Sequence, residues 1–283
     1  MKKILKIRNS PDAVVENGKI TTPILPQPIN IIKTLEDGSY LGYYNSNSVY
    51  FKKTPWGDYY TSLFNKYINP VCYCSDKLST AFCLISRNAN TSIALSALHA
   101  EGVVDENYSN DTMLWHDKKL MQYMRDNHKM IHVSDLDLSK YENFIIVLDE
   151  PTKRFVRVAN KIFTDDSLIH LVKDFKKEET MERFLDEIIF YADLCENDRY
   201  FLWERHLGLQ KTLYDICMNK TDKFKVVKLE DLPQWWEETY KSKWLRNNVS
   251  KEHKVTRESF NDEQWKKVLK YLEKDIELWR TVV

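Results

Sequence analysis

Residues 82–98, FCLISRNANTSIALSAL, constrain this chain more than any other stretch. Phe82 to Ile85 form an apolar run of strand length, and Ser86 to Asn90 form a polar turn. From Thr91 onward, Ile93, Ala94, Ala97 and Leu98 recur at helical spacing. The pattern predicts a strand, a turn and a helix. The turn carries the fixed cation Arg87, and the hydroxyls of Thr91 and Ser92 stand at the mouth of the helix. Amides at a helix N-terminus precede the hydrogen-bond ladder and favour an anion. The expectation is a phosphate cradle, against an ordinary reading of Thr91 and Ser92 as helix caps.

With 283 residues the chain is long enough for one large core. Lys plus Arg equals Asp plus Glu at 42 each, so net charge gives no reason to expect nucleic acid or an anionic membrane as partner. The five cysteines include Cys72 and Cys74 as C-x-C, without a second pair at zinc spacing. Reduced thiols in a cytosolic protein without a metal are expected. The opening MKKILKIRNS is basic but lacks the apolar run of a signal peptide. No segment has the length of a transmembrane span. A soluble, cytoplasmic protein is the expectation.

Along the chain, Pro23, Pro26 and Pro28 break any helix in residues 1–70. Turn signals at Asp37-Gly38 and Trp56-Gly57 predict short strands and loops there, a decoration of uncertain structure. Helical periodicity is expected over 113–128, 151–163, 178–195, 203–217, 232–245 and 262–279. Residues 144–148, FIIVL, read as a strand buried on both faces, and 224–229 as another strand. In the helix that begins at Pro151, Arg154, Arg157 and Lys161 share a face. That stripe reads either as a solvated surface or as a second anion site beyond a central strand. Strands separated by helices predict one α/β domain with a mostly parallel central sheet, its core over 75–235 and a helical segment over 236–283.

At this point the chain resembles sulfotransferases that use 3′-phosphoadenosine 5′-phosphosulfate (PAPS), in their carbohydrate (Golgi-type) branch. Arg87-Asn88-Ala89-Asn90-Thr91-Ser92 is similar to the turn that holds the 5′-phosphosulfate. FIIVLDEPTKRFVRVANKIF, residues 144–163, is similar to the 3′-phosphate segment. His206 and Gln210 match a His-x-x-x-Gln element. FKVVKLEDL and YLEKDIELW resemble the strand and terminal helix that follow. The pieces occur in the family's order over about residues 80–280. Asp149 stands where the family has an Arg, and Arg157 where it has a Ser.

The resemblance implies a three-layer, P-loop-like fold, with PAPS as donor, PAP as product and a glycan or other small hydroxyl compound as acceptor. It implies that Arg87 acts on the leaving group, and that Asn88, Ala89, Asn90, Thr91 and Ser92 hold the 5′-phosphate. Arg154 and Arg157 would supply the 3′-phosphate contact. His132 is the first choice of general base and His206 the second, with Glu101 and Glu204 as carboxylate alternatives. Residues 247–257, with Lys251, Lys254 and Arg257, read either as a closing loop or as a polar loop. The alternative function is an impaired relative that binds a nucleotide or partner without transfer. A nucleotide kinase is disfavoured because G-x-x-x-x-G-K-[ST] is absent.

Overall fold

The structure is a computed structural model that describes residues 2–8, 11–45, 47–62, 70–85, 88–108, 117–164, 180–197, 207–246 and 253–282. The first seven strands are β1 (Lys3–Leu5), β2 (Ala13–Glu16), β3 (Lys19–Thr21), β4 (Ile29–Thr34), β5 (Tyr40–Tyr44), β6 (Asn47–Lys53) and β7 (Tyr59–Ser62). Then come β8 (Val71–Ser75), β9 (Thr80–Cys83), α1 (Asn90–Glu101), α2 (Lys118–Asp126), β10 (Met130–His132) and β11 (Asn143–Leu148). The rest are α3 (Pro151–Thr164), α4 (Met181–Asn197), α5 (Gln210–Lys220), β12 (Phe224–Lys228), α6 (Leu232–Tyr240), α7 (Asp262–Tyr271) and α8 (Glu273–Thr281). They form two compact units, Met1–Ile68 with Asp165–Glu204, and Asn69–Thr164 with Arg205–Val283.

In the first unit β1 to β7 pair in sequence order, every pair antiparallel. Ile7 bridges to Tyr59 in parallel, so the sheet nearly closes on itself as a barrel. Short connections dictate this meander, because a two-residue turn can only reverse a strand. Asn17-Gly18 joins β2 to β3 with φ of 49° and 74°, the left-handed pair that a type I′ hairpin requires. Gly42 in β5 answers a different need: a Cβ there would lie 2.6 Å from Ile29 of β4. Leu5, Ala13, Ile20, Ile29, Val49 and Phe51 fill the interior. Helix α4 belongs to this unit and buries Phe184, Leu185, Ile188 and Ala192.

The second unit holds a five-stranded sheet in the order β10-β8-β9-β11-β12. β9, β11 and β12 run parallel, while β8 and β10 pair antiparallel. β11 lies between two parallel neighbours and is buried from Phe144 to Leu148. Helix α1 is buried from Thr91 to Leu98 on every side rather than along one stripe. Cys72, Cys74, Cys83 and Cys217 are buried free thiols.

The expected fold class, a three-layer P-loop-like α/β domain with a mostly parallel central sheet flanked by helices, is therefore corrected. The chain has a large antiparallel, nearly barrel-shaped sheet and a separate mixed sheet. The physical reason lies in loop length. Residues 76–79 between β8 and β9 are too few for a parallel crossover, which needs a dozen or more residues. Residues 1–62 likewise carry a seven-stranded sheet with its own core. The expected helix over 262–279 is broken at Leu272, and its capping box is Asn261 with Gln264. No helix among the described residues is long and apolar enough to cross a membrane.

Candidate functional site

The site lies in the second unit, beyond the C-terminal ends of β9 and β11. In open sheets with parallel strands, that edge is where ligands bind. Three features build it: the turn into α1, the segment from β11 into α3, and the start of α5.

Ala89 is the N-cap of α1 in the left-handed conformation, φ 59° and ψ 25°, with no side-chain cap and no acid in the first turn. The helical ladder begins with Ile93 N–H on the Ala89 carbonyl at 2.8 Å. The amides before it are the ones an anion would meet. The helix that follows β11 differs. At the start of α3, the Glu150 carboxylate accepts from the amides of Thr152 at 3.2 Å and Lys153 at 2.6 Å. A carboxylate of the chain thus already occupies the opening of α3.

Asn88 is fully buried and turned inward. Its Nδ2 donates to the Val147 carbonyl at 2.7 Å and to Gln210 Oε1 at 2.6 Å. Gln210 Oε1 also accepts from the Asp149 amide at 2.8 Å, while its Nε2 donates to the Asp149 carbonyl at 2.9 Å. The backbone N–H groups of Gln210 and Lys211 donate to the Asp275 carboxylate at 3.0 and 2.7 Å. Burial raises the Asp275 carboxyl above its ordinary range, against the opposing field of Arg154. The Oδ1 atoms of Asn88 and Asn90 are buried and find no hydrogen-bond partner among the described residues.

The expected second anion site is arranged differently. Arg154 is only 2% exposed, donates from Nη1 to the Gly208 carbonyl at 3.0 Å, and faces Asp275 electrostatically. Arg157 pairs with the Asp149 carboxylate. Burial lowers the Arg157 pKa from its ordinary value. Asp149, which stands where the resembled family has an Arg, thus holds the cation expected to supply the 3′-phosphate contact. The basic stripe of α3 splits, with Arg154 inside and Arg157 half-exposed.

Of the other expected residues, Thr91 and Ser92 are buried at 8% and 4% exposure. His132 is exposed at the end of edge strand β10, in register with Val71 of β8. Leu84 N–H meets the Val71 carbonyl at 2.8 Å, so His132 shares the sheet edge of the turn, two strand spacings or about 10 Å away. Glu101 is paired with Lys129 at 3.0 Å, away from that edge. Arg87, His206 and Glu204 lie outside the described residues, as do 247–252 of the tail loop.

Sequence reading missed the Asn88–Gln210–Asp149 network as a unit. Its available signal was a polar side chain, Gln210, placed just after the apolar Leu207 and Leu209, where burial obliges hydrogen bonds. No protein-family model, curated protein or solved structure matches the chain.

Proposed function

We propose that the second unit binds a phosphorylated donor at the opening of α1. The donor is PAPS, and its sulfuryl group passes to a hydroxyl of a carbohydrate or other small acceptor. One observation carries the reading. Ala89 gives α1 no N-cap side chain, the first turn of α1 carries no acid, and the helix follows a strand whose neighbour β11 runs parallel to it. An amide mouth of that kind takes a phosphate without a glycine-rich loop.

In this reading the 5′-phosphosulfate sits at the amides that open α1, after Asn88, whose own N–H donates to the Ile85 carbonyl at 3.0 Å. The sulfur–oxygen bond to the 5′-phosphate breaks as the acceptor oxygen bonds to sulfur. The electron pair leaves with PAP, and Arg87 neutralises the charge on the bridging oxygen, a role worth roughly 10²–10³ in rate. The acceptor's proton passes to a base, His132 or His206, worth about 10²–10⁴. The protein otherwise works by positioning, as in phosphoryl transfer.

A second reading, binding without transfer, is favoured by the pairing of Arg157 with Asp149 and by the buried Arg154, which is bonded to the Gly208 carbonyl and acts electrostatically on Asp275. Both arginines then serve the chain's own groups. Calorimetry with PAP, followed by sulfate transfer from PAPS across a glycan panel, separates the readings. Binding with transfer supports the enzyme. Binding without transfer favours the second reading, and no heat at millimolar PAP removes the nucleotide altogether. Arg87→Ala is expected to lower turnover by roughly 10²–10³. Unchanged turnover in that variant removes Arg87 from the site.

A further inference from the structure

The groups that hold the turn in place converge on one side chain. Gln210 is 2% exposed and stands at the first position of α5. Its carboxamide oxygen takes two donors, one from the turn before α1 (Asn88 Nδ2, 2.6 Å) and one from the residue after β11 (Asp149 N–H, 2.8 Å). A carboxamide oxygen has two lone pairs, so it is saturated. The nitrogen of the same group returns a bond to the Asp149 carbonyl at 2.9 Å. Asp149 is thereby gripped on both backbone polar groups by one planar amide. Gln210 is itself fixed from behind, because the Asp275 carboxylate of α8 holds its backbone N–H at 3.0 Å.

We propose that Gln210 is the positioning residue of the α1 opening. The inference rests on the reading of that opening as the donor site, and adds to it the residue that sets its geometry. Neither β9 nor β11 can fix the distance between the ends of their loops, since the last register pair is Ile146 with Cys83. Beyond it, Gln210 together with Asn88 spans the residue before α1 and the residue after β11. Asn88 alone reaches only Val147, a residue still inside β11. With Gln210 the turn is referenced to Asp149 as well, whose carboxylate carries Arg157. One carboxamide therefore couples the mouth of α1 to the cation expected at the other end of the nucleotide.

The test uses the full chain with Gln210→Met, which keeps volume and removes both bonding functions, and Gln210→Glu, which keeps the acceptor and replaces the donor. Two readouts are taken: hydrogen exchange of amides 88–92 against those of residues 96–101, and PAP affinity. In Gln210→Met the turn amides are expected to exchange about tenfold faster or more, with residues 96–101 unchanged, and PAP affinity to fall by a similar factor. In Gln210→Glu the ionised carboxylate faces the Asp149 carbonyl. Protonation restores a donor there, so both readouts should return toward wild type at the same pH as the pH falls through about 6. A residue that merely fills space would show no such recovery.

Wild-type exchange in Gln210→Met overturns the proposal, as does a loss in Gln210→Glu that stays flat with pH. Unchanged PAP affinity alongside a loosened turn also overturns it. Should Gln210→Met not fold, the pH response of Gln210→Glu decides. If wild type itself fails to bind PAP, the donor reading fails, while the exchange measurements still report whether Gln210 positions the turn.

Discussion

At the residue scale, the two arginines of α3 that face the site are met by groups of the chain itself. Asp149 and Arg157 are the pair most open to test, since the Arg157 side chain is 47% exposed and that of Asp149 is 6% exposed. A phosphate that reaches Arg157 must compete with a carboxylate already there, and charge-assisted contacts of that kind are strong. Asp149→Asn removes the competitor and the like charge together. The expected outcome is PAP binding tighter by roughly tenfold, read by calorimetry. Weaker or unchanged binding would place Arg157 outside the donor site. The sequence exposed both residues as departures from a family pattern, yet it gave opposite meanings to each. Asp149 read as a lost contact and Arg157 as a gained one, because their pairing with each other is invisible without the fold.

At the element scale, the positions of the main strands and helices follow from periodicity. Residues 144–148 are apolar throughout and form the core of β11, with parallel neighbours on both sides. Pro151 opens α3, where its missing N–H costs nothing. Strand direction was less legible, although loop length contained it: residues 76–79 can only reverse β8 into β9. Helix ends follow side-chain chemistry. Asp117 caps α2, accepting from the amides of Lys119 at 2.9 Å and Leu120 at 3.1 Å and from the Tyr108 hydroxyl at 2.9 Å. The Leu120 amide and then the Tyr108 hydroxyl hold its carboxyl below the ordinary value of 3.8. An acid lowered in the folded state adds stability that is present above its unfolded pKa and lost as pH falls through the folded one. Asp117→Ala should therefore cost about 1 kcal/mol near neutral pH. Urea titrations should show that gap closing as the pH drops below 3.8. A gap that persists in acid would mean the carboxylate is not its source.

At the scale of the whole molecule, each unit is assembled from two stretches of chain. The first unit joins its sheet to α4 through a buried ionic network. Arg8 Nη2 meets Glu187 Oε1 at 2.5 Å, and Arg183 Nε meets the same oxygen at 2.9 Å. The Arg183 guanidinium lies 3.5 Å from the centroid of the Trp56 ring, and Phe190 packs edge-on against that ring. Glu187 is fully buried, so its removal takes a counter-ion from buried Arg8 and leaves Asp58, at 3.4 Å, still beside it. Glu187→Ala is expected to destabilise the protein by about 3 kcal/mol, the lower end for a broken buried pair because Asp58 remains. Denaturant unfolding measures it, and a loss below about 0.5 kcal/mol would show that the pair contributes little.

By itself the sequence determined where β9, α1, β11, α3 and β12 lie, because burial periodicity and turn chemistry act over a few neighbouring residues. Connection lengths also lay in it, and with them the antiparallel course of β1 to β7. Only the tertiary structure decided the order of the five-stranded sheet, the return of α4 to the first unit, and the partners of Asn88, Arg8, Arg154 and Arg157. Apart from that of Arg157 with Asp149, those pairings join residues that are far apart in sequence. Asn88 and Gln210 are separated by 122 positions and Asp149 and Gln210 by 61. Burial obliges each such group to find a partner, but which partner depends on packing that no local pattern encodes.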